Sequence, residues 1–120
     1  MALKETLAKI CEGTEGGVLC TLMSFDGIPV GTYEKPGAGG LGATLLVVEA
    51  AGAARALDAA LIEGGRGGAR EMTVTLEGAS VILRPVDGTR VLVLALEAGG
   101  NFGRGRYLLR VAAPRILEDL

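Results

Sequence analysis

At 120 residues, 49 % hydrophobic and only 22 % charged, the chain has the length of one domain (residues 1–120) and a surface short of charge for a protein that stays alone. A net charge of −2 with no basic run argues against nucleic acid or an anionic membrane as the main partner. Two cysteines, Cys11 and Cys20, and no histidine exclude a disulfide framework, a zinc site and the commonest general base.

The two thiols read as buried and reduced, as in a cytoplasmic protein. Residues 1–10 lack a signal-peptide pattern, and no apolar run is long enough to span a bilayer. Leu3, Leu7, Ile10 and Cys11 fall at helical spacing, so residues 2–12 form a short amphipathic helix ended by Gly13. Residues 17–24, GVLCTLMS, have no polar face and read as a strand covered on both sides. Asp26-Gly27 signals a two-residue hairpin turn. The return strand, residues 28–34, contains Pro29, which cannot donate to a ladder and places it at a sheet edge.

Residues 41–63 predict a long helix rich in Ala and Leu and free of Pro. An advance of about 100° per residue puts Ala43, Leu46, Ala50, Ala53, Ala54, Leu57 and Leu61 on one stripe. A second, roughly opposite, holds Leu41, Leu45, Val48, Ala51, Ala59 and Ile62, interrupted by Arg55. A helix apolar on both sides must be buried on both sides: one against the chain's own sheet, the other against a second protein. Gly64, Gly65, Gly67 and Gly68 then read as a flexible link.

Residues 70–77 alternate, with Met72, Val74 and Leu76 on the apolar face of a strand. Residues 79–86 are the next strand, Asp87-Gly88 is a second hairpin signal, and residues 89–96 are the most apolar strand and hence central. Asn101 is placed as the N-cap of a final helix over residues 102–120. There Phe102, Leu109, Ala113, Ile116 and Leu120 supply one face, and Pro114 predicts a bend or restart. The order is αββαβββα. It makes a three-layer α+β sandwich: a five-stranded antiparallel sheet, the long helix on one face and the two terminal helices on the other.

The strand at residues 17–24 followed by Asp26-Gly27-Ile28-Pro29-Val30, the Asp87-Gly88 hairpin, the strand at 91–96, and Asn101-Phe102-Gly103 with Arg106 together resemble the Roadblock/dynein light chain family, with its profilin-like fold. The bacterial, MglB-like small-GTPase regulators are the members it looks most like. The resemblance implies a homodimer in which the long helices pack together and the strand at 70–77 pairs with its mate. It also implies a Ras-like small GTPase as partner, or an adaptor role in a motor or signalling complex. The residues expected at the dimer or partner interface are Leu41, Leu45, Val48, Ala51, Gly52, Arg55, Ala59, Ile62, Met72 and Val74. No catalytic residue, cofactor or metal is expected.

Gly37-Ala38-Gly39-Gly40-Leu41-Gly42 fits the dinucleotide-binding pattern G-x-G-x-x-G. Its context is poor, because the preceding strand is an edge member of a hairpin and no parallel βαβ unit follows. Arg104 and Arg106 open the last helix against its dipole. They read either as a salt bridge to Glu97 or solvated charge, or as an arginine finger aimed at a GTPase. Arg55 and Asp58 read as solvated or as seam residues.

Overall fold

The computed structural model describes residues 3–37 and 42–120. Among them are three helices, α1 (Leu3–Glu12), α2 (Ala43–Glu63) and α3 (Phe102–Glu118), and five strands. The strands are β1 (Gly17–Ser24), β2 (Pro29–Glu34), β3 (Met72–Thr75), β4 (Ala79–Pro85) and β5 (Arg90–Glu97). The sheet runs β2-β1-β5-β4-β3, antiparallel throughout. The most apolar strand is central, and the strand bearing Pro29 lies at an edge.

Because side chains alternate along a strand, β5 splits its residues between two cores. Leu92, Leu94 and Leu96, with Cys20, Leu22 and Ile82, pack against Leu7 and Ile10 of α1 and Leu109 and Ile116 of α3. Val91, Val93 and Ala95, with Met23, Val81 and Leu83, pack against Val47, Ala50, Ala51 and Ala54 of α2. The fold is therefore the three-layer sandwich the sequence predicts. The one buried hydroxyl of β1, on Thr21, donates to the Gly31 carbonyl at 2.9 Å and lies 2.8 Å from the Thr32 hydroxyl.

Both hairpins depart from the expected two-residue turns. Ser24 and Ile28 close the first, since the Ser24 amide donates to the Ile28 carbonyl at 2.9 Å. The loop is three residues, and Gly27 takes the left-handed conformation (φ 88°) that closes such a loop. The second loop is closed the same way, the Val86 amide donating to the Arg90 carbonyl at 3.0 Å, and is held in addition by a side chain. Asp87 Oδ1 accepts from the amides of Thr89 (2.9 Å) and Arg90 (2.8 Å), and the Asp87 carboxylate pairs with Arg90 at 3.1 Å.

The glycine link after α2 is tethered rather than loose. Asp58 Oδ1 accepts from the Ala69 amide at 2.7 Å, while Gly65 and Gly67 turn the chain at positive φ. α3 runs through Pro114 without restarting. Pro114 and Arg110, whose carbonyl loses its helical partner, are both exposed, so the missing hydrogen bond lies on the solvent side of α3. Leu120, expected on the buried face, lies beyond the helix and is exposed.

Candidate protein-interaction site

α2 stays helical through its Ala-rich composition, and its burial shows which side meets the sheet. The buried stripe is Ala43, Val47, Ala50, Ala51 and Ala54. The stripes predicted from sequence are thus rotated. Ala51, expected to face outward, is fully buried against the sheet, and Val47 takes a sheet-facing place that no stripe gave it. Conversely, Leu57 and Leu61, expected to face the sheet, are 54 % and 40 % exposed. The reason is reach. α2 lies over β1, β5 and β4, and its last turns meet no strand but stand beside the Gly68-Ala69 segment and the β4–β5 loop through Asp58 and Ile62, which leaves Leu57 and Leu61 largely open.

The other predicted interface residues divide. Leu45 (67 % exposed), Gly52, Ala59 and Ile62 (58 % exposed) face solvent on α2. Val48 is half-buried against the α2-side core, as is Met72 of β3; Val74 is half-buried in β3. Arg55 is exposed and paired with Asp26 of the first hairpin at 3.1 Å. Leu41, with the middle of the G-x-G-x-x-G pattern, lies outside the described residues. What sequence reasoning missed is the exposed flank Ala53, Leu57 and Leu61, with Leu46 half-buried at its start, and Leu76, exposed at the end of β3. Leu45, Leu46 and Glu49 line a shallow groove with Leu76 and Ala79, so that flank starts beside the β3–β4 turn.

β3 itself is an edge strand of Met-Thr-Val-Thr. The opposite edge, β2, carries Pro29 and a register irregularity opposite Leu22 and Met23, both of which discourage pairing. β3 carries neither, nor any lysine, and its residues favour strands. An unprotected edge and an uncovered apolar helix flank therefore stand at one end of the sandwich.

The ionisable groups with clear shifts other than Asp87 lie on the opposite face of the sheet, with α1. Burial pushes the Cys20 thiol well above its ordinary range, and burial, with Glu12 beside it, raises Cys11 to about 11. The Tyr33 hydroxyl, hydrogen-bonded to the Glu12 carboxylate, is raised to about 12. Arg106 pairs with Glu71 of the segment entering β3, at 2.7 Å, and not with Glu97 as expected.

These features define a profilin-like α+β sandwich with one uncovered helix flank and one open sheet edge; profilin II of Acanthamoeba castellanii shares the fold at a TM-score of 0.61. The chain belongs to the Roadblock/LC7 family. It is 35 % identical to MglC of Myxococcus xanthus, with the whole of both chains covered and a TM-score of 0.77. It is 20 % identical to the gliding protein MglB of Thermus thermophilus, covering all of this chain and 94 % of that one at a TM-score of 0.78. A Roadblock/LC7 domain of Streptomyces avermitilis shares 14 % identity over 99 % of this chain and 98 % of that one, at 0.81. No family model matches the chain, and no curated protein sequence does. Among the described residues no helix is long and apolar enough to cross a membrane.

Proposed function

We propose that the chain acts in the cytoplasm as a homodimeric regulator of a Ras-like small GTPase, without catalytic residues of its own. The observation that carries the dimer is the conjunction of the bare β3 edge with the exposed apolar flank Ala53–Leu57–Leu61. A second copy related by a twofold axis would pair β3 with β3 and set the two flanks against each other, which is how an isologous interface completes itself. The membership in the Roadblock family supports the GTPase as client. The protein would then act by shape, since Arg55 and Arg106 are each tied to an acid of the chain itself.

That same engagement of the arginines favours a second reading, a passive adaptor that holds a partner without altering its turnover. Phosphate release and nucleotide exchange by small GTPases encoded beside this protein separate the two. Acceleration of either supports the regulator. Stable binding at unchanged turnover supports the adaptor. A failure to bind any of them removes both the regulator and a GTPase-bound adaptor.

A further inference from the structure

β3 is the shortest strand of the sheet and the least supported. It is four residues long, lies at the rim and makes its principal contacts with β4, with Met72 reaching the α2-side core. Thr73 and Thr75 are exposed, as is the glycine-rich link at residues 64–68 that leads toward it. A short strand bonded along one side only opens at little cost in free energy.

Two carboxylates fix the approach to this strand, one from each face of the sheet. From α2, Asp58 Oδ1 accepts from the Ala69 amide at 2.7 Å. On the face of α3, two arginines grip Glu71. Arg106 reaches Glu71 Oε2 through Nη2 at 2.7 Å and through Nε at 2.8 Å, and Arg84 of β4 stands 3.6 Å from Oε1. Met72 is paired with Leu83, so Glu71 and Arg84 continue the β3–β4 ladder one step beyond its first residue pair. Asp58 and Glu71 are both half-buried, where a hydrogen bond to a charge is worth more than on an open surface.

The glycine run has a definite part in this. A Cβ on Gly68 would come 2.9 Å from Asp58 Oδ1, so a side chain there would drive the carboxylate off the Ala69 amide. Gly68 is not among the glycines at positive φ, so what it supplies is space.

We propose that Asp58 and Glu71 are positioning residues for assembly: they hold β3 as a ready edge before a second copy arrives, and Gly68 leaves the room that Asp58 needs. The inference rests on the β3-to-β3 dimer proposed above and states what sets its strength. A frayed edge has to be ordered at the moment of pairing, and that lost entropy is subtracted from the affinity. An edge already held from both faces loses far less.

The test combines hydrogen exchange and association on the full chain. At a concentration that keeps the chain monomeric, Asp58→Ala and Glu71→Ala should each speed exchange of the β3 amides bonded to β4 about fivefold or more, while β1 and β5 keep the parental rates. Sedimentation velocity across a concentration series should show the dissociation constant rising by about the same factor. Gly68→Ala should match Asp58→Ala, and the two together should do no more than either, because both break one bond. Asp58→Asn, whose amide oxygen still accepts from Ala69, should retain most of the parental affinity. Parental exchange in β3, a dissociation constant unmoved by the alanine variants, additive effects of Asp58→Ala and Gly68→Ala, or an equal loss in Asp58→Asn would overturn the proposal and leave the dimer standing. A parent chain that stays monomeric at every concentration would overturn the dimer itself and, with it, the role in assembly given to these residues.

Discussion

Gly105 and Gly103 sit two residues apart in α3 and answer to opposite forces. A Cβ on Gly105 would come 3.0 Å from Leu94 Cδ2 and 3.1 Å from Ile82 Cδ1, both fully buried side chains of the central strands. Alanine there gains about 1 kcal/mol of helix propensity but forces apart a close-packed layer at a cost of about 1–3 kcal/mol. Gly105→Ala is therefore expected to destabilise by about 1 kcal/mol. On Gly103 a Cβ meets nothing nearer than 4.0 Å, so Gly103→Ala should stabilise by about 0.5–1 kcal/mol. Urea denaturation of the pair checks the sign split. Asp87 gives a pH dependence at the same scale. Partial burial pushes its carboxyl up, but the hydrogen bonds from Thr89 and Arg90 and the charge of Arg90 outweigh that and hold it below its ordinary 3.8. A carboxylate depressed in the folded state adds stability above its unfolded value, and that contribution fades as the pH falls through the folded value. Asp87→Asn should remove this acid-labile share, so that stability measured from pH 6 down to pH 3 falls less steeply in the variant than in the parent.

At the scale of elements, periodicity carried most of the fold. The alternation of β5 between two cores, the edge position of β2 and the order of all eight elements follow from patterns a few residues long. The rotation of α2 was not legible in the same way. In a helix of this composition the polar residues Thr44, Glu49, Arg55 and Glu63 all stand outward but are too widely spaced to fix its rotation, so the pattern does not tell that Ala51 is buried and Ala53 exposed. The turns were misread because each Asp-Gly pair sits in a three-residue loop: Gly27 supplies the positive φ of the first, whereas in the second the Asp87 side chain adds its hydrogen bonds to the backbone closure. Likewise the pairing of Arg106 with Glu71 joins residues 35 positions apart, beyond any local signal. Pro114 shows a local rule overridden by position. Because Pro114 and Arg110 are both exposed, Pro114→Ala needs no repacking and restores one helical hydrogen bond. The gain in helix propensity, about 3 kcal/mol at most, is offset by up to about 1 kcal/mol of added freedom in the unfolded chain. A net stabilisation of about 1–2 kcal/mol is expected in thermal melts, with no change in binding or assembly.

For the whole molecule, the deciding question is what covers the exposed leucines of α2. A leucine more than half exposed contributes little to the stability of its own subunit, yet the same side chain buried between two copies would be worth roughly 1.5–3 kcal/mol in each. Leu57→Asp therefore separates fold from assembly. The charge would sit in water in the monomer, leaving the melting of a dilute, monomeric sample nearly unchanged. In the dimer it would be buried twice, opposite its own copy, and the dissociation constant should rise by about a hundredfold or more. Gly52→Ala offers a finer probe, since its outer face is open and no atom of the chain lies within 4 Å of the added carbon. Alanine there should strengthen the helix by about 0.5–1 kcal/mol while holding the paired helices apart if they cross at that point. Sedimentation velocity across a concentration series reads both variants. A dimer that persists undiminished in Leu57→Asp would mean that the chain associates through some other surface, and the pairing of the bare β3 edge would have to stand without the help of the helix.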